Sequence, residues 1–262
     1  MKAVVAFLLS LLLASAVGAA EATVFLEDMT WTEVRDAIAA GRTTVIVPVG
    51  GTEQSGPHMA LGKHNVRAHV LAGRIAAQLG NALVAPVIAY VPEGDVAGTG
   101  GHIRFAGTIS VTPEAFKGVL EGAARSFRRA GFRDIVLIGD HGGYQSDLAA
   151  VAARLNREWA GTPARTHFIA EYYKASTEPF AAALRQRGLS DMQIGTHAGS
   201  ADTSLMLAVD PRLVRADRLA QAPTAADGTY GDPRPSTAAL GQAGVDLIVA
   251  ASVNAIRKAA VR

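Results

Sequence analysis

Strand-like runs that end in glycines alternate with helix-spaced segments along this chain, and this alternation restricts its fold more than any other feature. TTVIVPVGG (43–51) is rich in β-branched residues and reads as a buried strand. In VRAHVLAGRIAAQLG (66–80), Val66, Val70, Ile75 and Leu79 share one helical face, and Gly80 is a stop. ALVAPVIAYVP (82–92) predicts a second strand, followed by a loop with several glycines at 93–108. Thr112 and Pro113 open a helix as cap and first residue, with Phe116, Val119, Leu120, Ala123 and Phe127 as its apolar stripe. GFRDIVLIGDHGGYQ (131–145) predicts a strand that turns through glycines into a helix at 146–159. A strand at 165–173 and helices at 177–187, 200–209 and 236–260 complete the pattern, and 221–236 reads as a loop. Strands and helices in this order predict an α/β fold: a three-layer sandwich with a mostly parallel central sheet and helices on both faces. Trp31 and Trp159 lie where helices would pack, so both are expected in the core.

The chain has 262 residues, enough for a single domain with a sizeable core. Its start, MKAVVAFLLSLLLASAVGAAEA, has Lys2, an apolar run to about Ala14, then small residues. That is the pattern of a secretory signal peptide over 1–20, cleaved after Ala19 or Ala20, leaving one domain over 21–262 that is exported to the periplasm or secreted. A membrane anchor is the rival reading, but the run is shorter than the roughly 20 apolar residues a span needs. No later stretch reads as a span. Cleavage removes Lys2 from the 25 basic residues, leaving 24 against 23 acidic ones and a net charge of +1. With no basic stripe, no nucleic-acid partner is expected. There is no cysteine, so neither a disulfide nor a thiolate ligand or nucleophile is available.

In folds of this class, chemistry sits beyond the carboxyl ends of the strands. Two predicted strands end in loops that carry histidine and acid: VGGTEQSGPHMALGKHN (49–65) after the first, and Asp140-His141 after the third. The residues able to hold a divalent metal are Glu53, His58, His64, Asp140, His141, His197 and Asp202. They form no compact motif such as H-E-x-x-H, and each histidine taken alone is more often structural. Their shared position at strand ends is what raises them. His102 and Phe105 either flank the cleft or belong to a plain loop; His69 and His167 fall inside elements and read as structural; Asp232 is a helix cap or a cleft residue. Serine catalysis has no G-x-S-x-G elbow, and GTGGHI (98–103) lacks the last glycine of a dinucleotide fingerprint.

Five blocks in order, VPVGGTEQSGPHMALGKHN, HIRFAGTIS, IGDHGGYQ, THAGSADTSLML and YGDPRPSTAALG, resemble the creatininase (creatinine amidohydrolase) family over roughly 26–260. The resemblance implies an α/β sandwich with divalent metals at its strand ends, hydrolysis of amide or cyclic amide C–N bonds, and homo-oligomers. It implies that Glu53 and His141 bind metal and that His197 transfers a proton. It also exposes departures. Ser55 stands where the family has a ligand histidine, and His64 where it has a metal-bridging aspartate. Tyr144 stands where it has an asparagine, and Asp202 where it has a glutamate. An imidazole cannot bridge two ions through one ring as a carboxylate can.

The resulting expectation is a metal-dependent amidohydrolase acting on a small amide. It would hold one divalent ion, zinc first with manganese or iron as alternatives, through Glu53, His64 and His141. Asp202 would be fourth ligand or proton acceptor, and His197 a further proton carrier. The alternative is an exported, non-catalytic binding protein that kept this fold. A serine hydrolase is a third, weaker reading.

Overall fold

The computed structural model describes residues 23–221 and 224–260; the segment 1–20, read from the sequence as a signal peptide, lies outside them. The described chain runs α1 (Trp31–Ala39), β1 (Thr44–Val49), α2 (Lys63–Leu79), β2 (Ala82–Val84), α3 (Pro113–Ala130), β3 (Asp134–Gly139), α4 (Gln145–Glu158), β4 (Arg165–Phe168), α5 (Ala170–Thr177), α6 (Pro179–Gln186), α7 (Asp191–Ile194), α8 (Ser200–Val209), α9 (Ala216–Leu219) and α10 (Ala238–Ala260). The four strands form one parallel sheet in the order β2-β1-β3-β4.

Strand alternation builds the three layers. Val45, Val47 and Val49 of β1 face one side, with Ile135 and Leu137 of β3, and pack on Phe116 and Leu120 of α3 and on Leu148 and Leu155 of α4. Ile46, Val136 and Ile138 face the other side, against Leu71 and Ile75 of α2, Tyr172 of α5 and Ile248 of α10. Sequence signals set the boundaries locally. The Thr112 hydroxyl accepts the Ala115 N–H at 3.2 Å, Pro113 is the first residue of α3, and Gly131 closes that helix at φ +111°.

Five expectations change. Helix α2 begins at Lys63, three residues earlier than its apolar spacing indicates, so His64 sits in its first turn rather than in the loop. The strand expected over 82–92 is only three residues long, because the prolines beyond it cannot donate to a ladder. Ile88 keeps a single bridge to Val49. The strand expected over 165–173 ends at Phe168, and the chain turns at once into α5, which docks Tyr172 against the sheet. Trp159 is fully buried as expected, but Trp31 is 75% exposed on the surface helix α1, where the Arg35 guanidinium covers its ring at 5.3 Å.

Helix α10 is long and apolar enough to cross a membrane by length and composition alone, contrary to the sequence reading. In this structure Val245, Ile248, Val249, Val253 and Ile256 bury one face of it in the core.

Candidate metal centre

Register brings the site together. Val49 of β1 pairs with Gly139 of β3, so the loops beyond them leave the sheet side by side. The β1 loop then folds against the start of α2. Asn65 Oδ1 accepts the Gly51 N–H at 2.9 Å, the Leu61 carbonyl accepts the Glu53 N–H at 3.2 Å, and a Cβ on Gly50 would overlap Asn65. Glu53 from the loop and His64 from the helix thereby become neighbours.

Glu53 is fully buried at the centre. Its Oε1 lies 2.8 Å from His64 Nε2, 3.7 Å from His197 Nδ1 and 3.8 Å from Lys63 Nζ. Its Oε2 has no hydrogen-bond partner and lies 3.6 Å from both His141 Nε2 and His102 Nδ1. Burial alone would raise the Glu53 carboxyl, but the His64 hydrogen bond and the Lys63 charge hold it well below the usual carboxylate range.

Among the described residues, two groups of side chains could grip an ion, and both use Glu53: Glu53 with His64 and His141, and Glu53 with His102 and His197. The residues fit a divalent metal on three counts. First, Glu53 Oε2 is a buried anionic oxygen with no donor. Second, its 3.6 Å spacings to two imidazoles exceed a good hydrogen bond and approach the roughly 3.4 Å that separates ligands on a tetrahedral zinc. Third, two histidines are oriented from behind. Asp140 Oδ1 takes the Nδ1 side of His64 at 2.5 Å, and His197 Nε2–H donates to the Gln54 carbonyl at 2.9 Å, leaving its Nδ1 lone pair toward Glu53. Burial lowers His141 to about 3 and His197 to about 4, so both rings are neutral near pH 7, as ligands or bases must be.

Asp202 belongs to neither group. Lys63 Nζ donates to it at 2.5 Å, Arg67 Nη1 at 2.8 Å and the Ala198 N–H at 3.2 Å. Ala198 is the one described non-glycine residue at positive φ, +55°, and that turn aims its N–H at Asp202. Burial would raise Asp202, yet Lys63 and Arg67 hold it well below its ordinary value, which makes it a poor proton acceptor. Asp140 is likewise committed, accepting from Arg67 Nε at 2.8 Å and the Tyr172 hydroxyl at 2.7 Å as well as from His64.

Other candidates fall outside the centre. His58 is buried and bonds the Thr203 hydroxyl at 3.0 Å; His69 stacks on Phe25; His167 bonds Asp134. Asp232 pairs with Arg234. Ser55 is fully buried, and its hydroxyl has no partner.

Sequence reasoning missed Lys63, Arg67 and Glu93. Glu93 is buried with both oxygens unpartnered, and its Oε1 lies 3.6 Å from His141 Nδ1. Burial and the nearby Glu53 charge push it up to about 9. All three look like ordinary surface charges in a one-dimensional reading. The signal that could have found the two cations was their one-turn spacing on either side of His64 at the start of a helix. A cleft of about 450 Å³ reaches this cluster, with Lys63, Asp140, His141, His197 and Asp202 in its wall and Tyr173 along its side.

Comparison with known proteins identifies the family. The creatinine amidohydrolase family model matches residues 27–256. The chain is 30% identical over 215 residues to the creatinine amidohydrolase of Pseudomonas putida, covering 79% of this chain and 80% of the relative. It is 32% identical over 221 residues to the mycofactocin precursor peptide peptidase of Mycolicibacterium smegmatis, covering 76% and 78%. Solved creatininase structures, among them a manganese form and one of the Zn-Zn type, superpose with a TM-score of 0.76 at 27% identity, over 92% of this chain and all of theirs. The chain belongs to the creatininase family.

Proposed function

We infer that this protein is a metal-dependent amidohydrolase that opens the C–N bond of a small amide or cyclic amide. The observation that carries the reading is Glu53, an anionic carboxylate with one free oxygen, ringed by His64, His141, His102 and His197, of which His64, His141 and His197 line a cleft. A divalent ion bound there supplies a Lewis acid and an acidified water. Glu53, His64 and His141 are the proposed ligands. Zinc is the proposed metal, because imidazole and carboxylate donors without thiolate suit it, with manganese and iron as alternatives.

The chain's own groups do the rest. His197, neutral and tied through Nε2–H to the Gln54 carbonyl, presents a free Nδ1 that can take a proton and pass it to the leaving nitrogen. Asp202 and Asp140 hold Lys63, Arg67 and His64 in place rather than reacting. The cleft volume suits a small molecule. Export through the N-terminal segment and assembly as a homo-oligomer are part of the proposal, supported by the signal-like sequence and by the family.

The test is metal content followed by hydrolysis of a panel of cyclic amides and short peptides. The expected result is a stoichiometric divalent ion and at least one substrate turned over, both lost in His141→Ala. Bound ion and ligand without turnover on any amide would favour the non-catalytic binding protein. No ion and no metal-dependent turnover would overturn the reading.

A further inference from the structure

The two oxygens of Glu53 face unlike surroundings. On the Oε1 side, positive charge is already built in. Lys63 Nζ is 3.8 Å away, its side chain is fully buried, and it bonds Asp202 at 2.5 Å. Arg67, also buried, spans Asp140 and Asp202. Two fixed cations thus face three carboxylates there, Glu53, Asp140 and Asp202, with His64 Nε2 2.8 Å from the same Glu53 oxygen. On the Oε2 side no lysine or arginine contacts Glu53 or Glu93 among the described residues, and Glu53 Oε2 and both Glu93 oxygens have no donor.

Lys63 is placed against local preference. It is the first residue of α2, where the helix dipole is positive and an ammonium is disfavoured, and no acidic residue shares that first turn. Burying an ammonium costs free energy that only close anionic partners return. Asp202 already has Arg67 and the Ala198 N–H, so it does not need a second cation for its own sake.

We propose that Lys63 is a resident cation of this centre: its ammonium takes the place of a second ion beside Oε1 of Glu53 and limits the chain to the single divalent ion held by Glu53, His64 and His141. An ion bonded to Oε1 at about 2.1 Å could lie no farther than roughly 6 Å from Lys63 Nζ, inside the distance at which two cations in a buried site repel strongly. This rests on the metal-dependent reading above and adds to it the charge that decides stoichiometry.

The experiment is titration of chelator-stripped full-length protein with Zn²⁺ alone, read by calorimetry and by elemental analysis after gel filtration. The unmodified protein is expected to bind one ion per chain, Lys63→Met two, and Lys63→Arg one. Circular dichroism checks that each variant is folded. Should Lys63→Met fail to fold, the Lys63→Met, Asp202→Asn pair removes both ends of the ion pair and is likewise expected to bind two. Two ions in the unmodified protein, or one in a folded variant lacking Lys63, overturns the role of Lys63 and leaves the metal reading standing. No ion in the unmodified protein overturns the metal reading itself.

Discussion

The hydroxyl of Tyr144 lies 2.6 Å from the Gly50 carbonyl oxygen, joining the loop after β3 to the loop after β1. The same hydroxyl lies 2.8 Å from the Val49 carbonyl and accepts the N–H groups of Asp140 and His141 at 3.2 and 3.1 Å. One fully buried phenol therefore fixes the backbone of two residues of the centre relative to the strand that leads to Glu53. It occupies the position at which the family resemblance led us to expect an asparagine.

Tyr144→Phe keeps the ring and deletes the knot. It strands the His141 N–H and the Gly50 carbonyl, while the Asp140 N–H keeps the Val49 carbonyl at 3.0 Å, so a loss of about 1–3 kcal/mol is expected in urea unfolding. Ion affinity should fall about 10-fold because His141 loses its anchor. Unchanged stability and unchanged affinity would show that the hydroxyl is dispensable.

Asp202→Asn should be far more damaging to the fold than an exposed charge change. It leaves Lys63 with only the 3.8 Å contact to Glu53 and Arg67 with Asp140 alone, and breaking a buried pair costs about 3–5 kcal/mol. Chemical denaturation of the metal-free protein measures this. A loss below about 1 kcal/mol, the range of surface pairs, would mean that water reaches Lys63.

The pH dependence of the metal-free protein follows from four groups. His58, His141 and His197 are lowered from 6.5 to about 4, 3 and 4, in each case by burial first. Below pH 6.5 the unfolded chain takes up these protons and the folded chain does not, so stability falls as pH drops from 6.5 toward 4. Glu93 is raised from 4.5 to about 9, so the folded chain keeps a proton that the unfolded chain releases, and stability falls as pH rises toward 9. Between 4.5 and 6.5 three histidines outweigh one glutamate. Stability should therefore peak near pH 6.5, each proton contributing a slope of up to about 1.4 kcal/mol per pH unit. Glu93→Gln should remove the alkaline fall, and a fall that survives it would assign that limb to another group.

Helix α10 is seated on α8 through Gly241, where a Cβ would overlap the Ser204 carbonyl. Because the obstacle is backbone, Gly241→Ala has to push the helices apart, at an expected cost of about 1–3 kcal/mol. A thermal melt indistinguishable from the unmodified protein would show that α10 can shift freely.

What the sequence determined by itself was local. The β-branched runs ending in glycine, the Thr112-Pro113 helix start and the apolar spacing of α3 are short-range patterns, and they led to the three-layer parallel fold because alternating strands and helices have few ways to bury both faces. Glu53, His64 and His141 were singled out because the ends of β1 and β3 fall on one sheet edge, and His197 because the family resemblance marked it with Glu53 and His141. The tertiary structure alone decided their partners. His102 joins Glu53 from a three-residue 3-10 turn, His102–Arg104, that no periodicity announces. Lys63, Arg67 and Glu93 read as solvated charges until packing removes the water around them. Asp202 changes from expected ligand to counter-ion for the same reason: which charge meets which, at 2.5 Å or 3.8 Å, depends on α2, α8 and the β1 loop converging, and no one-dimensional spacing encodes that.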